Sequence, residues 1–276
     1  MASLKEILKK SGKFSQDESK ILPRSFDIIG NTALIQIPHE LESKKKIIAN
    51  AILKNNKNVD SVYGKGKHKG RLRKQTITWI AGKKIEEVLH KESGCKFKLN
   101  IKTCYFTPRL GTDRLEIASK IKKKEKILVM FAGVGPYGII LAKKNPRVTC
   151  IELGKEACKY MEENCKLNKI SMKVIQGDVK RICPKLKEKY DRILMPRPQL
   201  KDSFLKEAFM LAKKGTIIHF YDFVQNRDLL ELKKILKKKM ENTAKKLKKK
   251  IKIIQIKKIR ELAPYKYNMR IDFKII

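Results

Sequence analysis

The stretch Lys126-Ile127-Leu128-Val129-Met130-Phe131-Ala132-Gly133-Val134-Gly135-Pro136-Tyr137-Gly138 decides the fold. An apolar run of strand length enters a turn with three glycines, and a helical pattern follows to about Lys144. Glycines there let the backbone pass close to a ligand at the carboxyl end of a strand. Glu152 follows Gly133 by 19 residues and closes the next apolar run, Val148 to Ile151. A carboxylate at that strand end can accept hydrogen bonds from both hydroxyls of a ribose. The same spacing also describes a dinucleotide site, so the turn and the acid do not choose between cofactors.

Working outward, the spacing predicts strand–helix alternation from about Thr112. A helix over Asp113 to Lys123 precedes the apolar run. A helix over Lys155 to Leu167, a strand over Lys173 to Ile175 and a strand over Asp191 to Met195 follow it. A helix over Asp202 to Lys213, stopped by Gly215, leads to a strand over Thr216 to Phe220. A Lys-rich helix over Arg227 to Lys250 then leads to two strands, Ile251 to Lys257 and Tyr267 to Ile275, expected to pair antiparallel. The expected class is α/β: a Rossmann-like doubly wound sheet with the layout of class I methyltransferases. Before it, short alternating strands at 33–37, 76–80 and 96–101, a helix over Leu41 to Lys54 and a basic loop at 64–74 predict a smaller N-terminal α+β domain. The boundary is read as 1–107 and 108–276.

Two features favour S-adenosylmethionine over a nicotinamide dinucleotide. A proline-bounded turn, Pro196-Arg197-Pro198, ends the fourth strand of the sheet, where a methyl donor's sulfonium and the acceptor base are enclosed. Asp178, after the third strand, suits the amine of adenine, although an Asp at a helix start is also an ordinary cap.

The chain holds 67 Lys and Arg against 28 Asp and Glu, a formal charge of +39. Charge on that scale implies a polyanionic partner, with part of the excess being Lys on solvated positions. None of the six cysteines forms a CxxC pair and no His stands at zinc-ligand spacing, so no metal is expected and packing accounts for the thiols. No apolar run reaches membrane-spanning length and the first ten residues lack a signal peptide's core, so no membrane is expected and a cytoplasmic protein is. A monomer is expected, although nothing in the sequence fixes the oligomeric state.

With these residues assembled, the chain resembles the tRNA (guanine-37-N1)-methyltransferase family of archaea and eukaryotes. The resemblance starts at ILPRSFDIIGNTALIQIP (21–38) and rests most on HKESGCKFKLNIKTCYFTPRLGTDR (90–114), FAGVGPYGI (131–139), ENCKLNKI (163–170) and GTIIHFYDF (215–223). It implies methyl transfer from S-adenosylmethionine to N1 of guanosine-37 in tRNA. By that resemblance Arg114, Glu152, Leu153, Asp178 and Val179 contact the cofactor, Gly133 and Gly135 form its turn, Pro196 and Pro198 border the pocket, and Tyr105 and Phe131 flank the methionine or adenine end. It places the general base at Asp113 and a supporting cation at Arg73. A carboxylate suits the task because N1 of guanine is protonated at neutral pH, and a cation suits the charge that develops towards O6. As ordinary alternatives, Asp113 caps its helix and Arg73 is one more phosphate-binding cation.

Three departures stand out. Asp113 occupies a position where the family usually has Glu, which shortens its reach by one methylene. Pro196 stands where many members have Asn; an archaeal branch of the family also carries proline there, and some of its members methylate a wyosine intermediate at carbon. Many archaeal members also begin with a domain that touches the tRNA elbow, whereas the shared region here starts near Ile21, so less of the tRNA is expected to be read. A sister family transfers an aminocarboxypropyl group but carries a different sequence at Pro108-Arg109. A non-catalytic RNA-binding protein would not need the intact Glu152, Asp178 and glycine turn.

For RNA, Lys65, Lys67, Lys69, Arg71, Lys74 and Arg197 are candidate phosphate contacts, and thirteen Lys against one acid at 233–258 form a second basic segment, or else a solvated outer face. Tyr137, Phe220 and Tyr221 are candidate stacking partners for a flipped base, Phe220 being otherwise a core residue, and His219 is read as a satisfied core histidine rather than polar lining.

Overall fold

A computed structural model describes residues 3–69, 74–196 and 202–276, with the side chains of 67–69 and 74–75 also outside the description. The chain forms two compact units, Met1–Arg109 and Leu110–Ile276.

In the N-terminal unit, α1 (Leu4–Lys10) and α2 (Gln16–Ile21) each start with a Ser capping box, Ser3 with Glu6 and Ser15 with Glu18. Each box satisfies two amides that would otherwise be orphaned. Strands β1 (Asp27–Ile29) and β2 (Thr32–Ile35) precede a 3-10 turn and α3 (Lys45–Asn55). With β3 (Ser61–Lys69) and β4 (Lys74–Gly82) they make a sheet of order β1-β2-β3-β4. Ile48 and Ile52 of α3 pack with Leu8, Ile35, Val62 and Ile80 in its core. A hairpin of β5 (Glu87–Glu92) and β6 (Cys95–Asn100) follows.

The expected basic loop at 64–74 is a strand pair for most of its length, with Lys65 opposite Ile77 and Lys69 opposite Lys74. Gly64, Gly66 and the basic residues around them carry no apolar alternation, so only the ladder with β4 reveals the strand.

The C-terminal unit contains α4 (Gly111–Ser119), β7 (Lys126–Met130), α5 (Pro136–Ala142), β8 (Arg147–Glu152), α6 (Lys155–Leu167), β9 (Lys173–Gln176), α7 (Val179–Ile182) and β10 (Tyr190–Met195). It continues with α8 (Leu205–Leu211), β11 (Ala212–Gln225), α9 (Leu229–Lys246), β12 (Ile251–Ala263) and β13 (Lys266–Ile275). The described strands form one sheet of order β12-β13-β11-β10-β7-β8-β9. β9, β8, β7, β10 and β11 run parallel, and β13 is antiparallel to both β11 and β12. This is the expected doubly wound sheet ending in a hairpin, with its topological switch point between β7 and β10, where such sheets bind ligands.

One boundary differs from expectation. The helix before β11 ends at Leu211 and Gly215, at φ 90°, lies inside β11 rather than stopping the helix. The strand begins early because Thr216 Oγ1 donates to the Tyr190 carbonyl and accepts the Lys213 amide, which draws residues 212–216 alongside β10.

Candidate active site

The turn after β7 is shaped by packing as much as by any ligand. Gly135, at φ 88°, caps α5, and a Cβ there would stand 2.7 Å from Met161 Cγ. Phe131 opens the turn in the left-handed region, φ 59°, a conformation that costs a non-glycine residue about 1–3 kcal/mol and recurs at functional sites. Its ring meets Phe204 edge-on at 5.0 Å.

Glu152 ends β8 against this turn. Its Oε2 accepts the Gly133 amide and its Oε1 the Gly154 amide, both at 2.8 Å. Burial raises its pKa above the usual carboxylate range, opposed by the amides of Gly154, Gly133 and Leu153. Gly133 and Gly154 take one position on each oxygen, which leaves acceptor capacity on the carboxylate for a ribose diol. These groups therefore fit the nucleoside end of S-adenosylmethionine. Asp178 caps α7 and accepts the Lys180 amide at 3.0 Å, the ordinary role of an Asp at a helix start. Val179 is buried behind it, while Leu153 and Pro196 are half-buried beside the ends of β8 and β10.

Asp113 does not cap its helix. It sits in the first turn of α4, only 5 % exposed, and its carboxylate turns inward. Tyr137 and Tyr221 each donate a hydroxyl to Oδ2 at 2.5 Å, and Arg270 Nη1 donates to Oδ1. Burial, reinforced by the charge of Asp113 beside each ring, raises both tyrosine pKa values well above normal, so both remain donors at neutral pH. Arg114, also buried, sets its guanidinium 5.7 Å from the Tyr137 ring centre.

Behind Asp113 runs a buried polar chain that the sequence did not disclose. Arg270 grips Asp272 with Nε at 2.9 Å and Nη2 at 3.0 Å, and reaches Glu116 at 2.6 Å. His219 Nδ1 lies 2.7 Å from Asp272, and its Nε2 lies 2.8 Å from Arg192 Nη1. An arginine can only donate, so Nε2 must accept and Nδ1 must carry the proton. His219 is therefore the neutral, satisfied core histidine expected. Arg192 in turn binds Glu125 at 2.9 Å. The one available signal was the alternation Asn268, Arg270, Asp272 along β13, which reads as a wet face.

Tyr137 and Tyr221, 3 % and 1 % exposed, are closed into the core rather than free to stack on a base, and Phe220, at 0 %, takes the core position that was its alternative reading. In the N-terminal unit Tyr105 is half-buried, and Lys65 and Arg109 both pair with Asp27. Arg71, Arg73, Arg197 and Pro198 lie outside the described residues, as do the side chains of Lys67, Lys69 and Lys74. Among the described residues no cluster is placed to hold a metal, and no helix is long and apolar enough to cross a membrane.

Residues 88–254 match the model of the TRM5/TYW2 methyltransferase domain, and residues 4–85 that of the TYW2 N-terminal domain. The chain belongs to the TRM5/TYW2 methyltransferase family. Among curated members it is 40 % identical to tRNA (guanine(37)-N(1))-methyltransferase Trm5b of Pyrococcus abyssi, over 94 % of this chain and 77 % of that one. The crystal structure of that enzyme superposes with a TM-score of 0.85 at 38 % identity, covering 95 % of this chain and 78 % of that one. A second relative, 32 % identical over 91 % of this chain and all of its own length, is the tRNA (guanine(37)-N(1))/4-demethylwyosine(37)-methyltransferase Taw22 of Nanoarchaeum equitans. The complex of aTrm5 with tRNALeu matches with a TM-score of 0.84 at 28 % identity, over all of this chain and 78 % of that one. TRM5/TYW2 membership agrees with the resemblance drawn from the PRLGTDR and FAGVGP motifs, and with the sheet order.

Proposed function

We propose that this chain transfers a methyl group from S-adenosylmethionine to N1 of guanosine-37 in tRNA. One observation carries it most directly: the Tyr137 hydroxyl ties Asp113 to the first turn of the helix that begins in the glycine turn. A carboxylate is thereby held next to the element expected to bind the methyl donor.

When bound, the cofactor supplies an electrophilic methyl group at its sulfonium. The chain's residues do the rest. Glu152 orients the ribose by accepting its hydroxyls, and Gly133 and Gly135 allow the close approach. Asp113 takes the N1 proton: three of its roughly four acceptor sites are used among the described residues, and the fourth, on Oδ1, is left for that bond. Arg73 is assigned to the charge developing at O6, and Pro196 and Pro198 to the pocket wall. The N-terminal unit and the lysines at 67, 69 and 74, with Arg71 and Arg197, are assigned to the RNA, whereas Lys65 is taken up by Asp27. The enzyme is read as a cytoplasmic monomer.

Pro196 and the likeness to Taw22 favour a second activity, carbon methylation of 4-demethylwyosine at the same position. Unmodified tRNA transcript incubated with protein and cofactor, digested and analysed by mass spectrometry, separates the two. The expected product is 1-methylguanosine, lost when guanosine-37 is replaced. Its absence with a folded, cofactor-binding protein, and methylation only of tRNA carrying the wyosine intermediate, would favour the second activity.

A further inference from the structure

We infer that Arg270 is a positioning residue for methyl transfer, fixing the Asp113 carboxylate through Oδ1 while Tyr137 and Tyr221 fix it through Oδ2. The inference rests on the proposed role of Asp113 as the base.

Three elements close on this one carboxylate: α5 through Tyr137, β11 through Tyr221 and β13 through Arg270. A carboxylate with two side-chain torsions held from three directions has a single orientation. That matters more for Asp113 than for a Glu, because a side chain one methylene shorter has less freedom to find its proton. Arg270 is itself over-determined. Four of its five N–H groups donate: two form the fork on Asp272, one goes to Asp113 and one to Glu116. Asp272 is oriented by His219, His219 by Arg192 and Arg192 by Glu125, a support that reaches the start of β7.

Stability does not explain this cluster. Arg270, Asp272 and Asp113 are 0 %, 2 % and 5 % exposed, and hydrocarbon side chains of similar volume usually pack there at no loss or with a gain. A fully bonded buried network does impose one geometry, and a rigid second layer behind a catalytic group is what accurate proton transfer needs. The charged and titratable groups around Asp113 are Arg270, Tyr137 and Tyr221, with Arg114 over the Tyr137 ring and Glu116 sharing Arg270. Arg270 acts only through Asp113.

That property makes it testable in a double-mutant cycle on labelled methyl transfer to tRNA under single turnover, with cofactor Kd and tRNA KM measured for each protein. Arg270→Met is expected to lower kcat about 10²-fold, the usual cost of misplacing a group by an ångström, with Kd and KM held within about threefold. In an Asp113→Asn background the same change is expected to cost nothing further. Arg270→Lys keeps the charge without the fork and should recover part of the rate. If Arg270→Met does not fold, Arg270→Lys enters the same cycle: a loss that vanishes in the Asp113→Asn background supports the inference. An equal loss in both backgrounds, no loss in either, or cofactor affinity falling in step with kcat would overturn it and leave Arg270 a structural residue. Wild-type protein that methylates no tRNA would instead refute the proposed function, and the positioning role with it.

Discussion

His219 shows what one buried side chain decides. Burial lowers its pKa below the ordinary 6.5, outweighing the attraction of Asp272, and the Arg192 donor at Nε2 disfavours a second proton. A histidine whose folded pKa lies below its unfolded one binds fewer protons when folded. Its contribution to stability is complete above pH 6.5 and is lost as pH falls from there towards the folded value. Unfolding free energy from urea titrations should therefore drop as pH falls below 6.5. In His219→Gln that drop should be shallower, and an unchanged slope would assign it elsewhere. Glu152 makes a second case. Glu152→Ala removes the two oxygens proposed to accept the ribose hydroxyls and should weaken S-adenosylmethionine binding by about 1.5–3 kcal/mol for each charged hydrogen bond removed. Titration calorimetry measures this directly, and unchanged affinity would mean the nucleoside binds elsewhere.

Among the elements, the run from β7 through α5 was readable because its chemistry is local: an apolar strand, a glycine turn and a helix in 17 residues, Lys126 to Ala142. Packing explains why the glycines cannot change. Gly135→Ala would put a methyl 2.7 Å from Met161 Cγ in a backbone region unsuited to L side chains. A loss of about 1–3 kcal/mol is expected from overpacking, visible as a lower thermal midpoint even without cofactor. Wild-type stability in that variant would show that α6 yields easily. β3 and β13 were legible only in part. β3 hid behind glycines and charges, so its basic residues looked like a loop. β13 showed the right period, but its polar positions point into a covered face: Asn268, Arg270 and Asp272 are all at most 3 % exposed. Period-two alternation separates the two faces of a strand without saying which face another layer will cover.

For the whole molecule, the charge of +39 suits the proposed tRNA substrate, but the lysines are not equivalent. In α9 the stripe Leu232, Leu236, Met240 and Ala244 is buried and the lysines line the outer face, while Lys239 is matched by Asp222 and Lys257 by Glu116. Lys234, Lys237 and Lys238 are exposed, with no ion pair among the described residues. Replacing these three by Gln should flatten the dependence of log K for tRNA on log salt by about 0.9 for each phosphate that is no longer neutralised. An unchanged slope would make them solvation alone. The buried cysteines complete the picture: burial pushes the thiols of Cys165 and Cys183 up to about 11 and about 12, in keeping with a packing role.

Strand and helix order, the glycine turn, its partner Glu152, the family and the acid at 113 were all written in local patterns, because each depends on residues near one another in the chain or on a recognisable motif. Where Asp113 points was not. Its surroundings come from Tyr137, Tyr221 and Arg270, which lie 24, 108 and 157 residues away, and no spacing rule joins them. Only the closing of α4 onto the sheet brings those groups together, since burial turns a carboxylate that could cap a helix into one that must find partners inside. The same burial withdrew Tyr137 and Tyr221 from base stacking and made them hydrogen-bond donors to the acid.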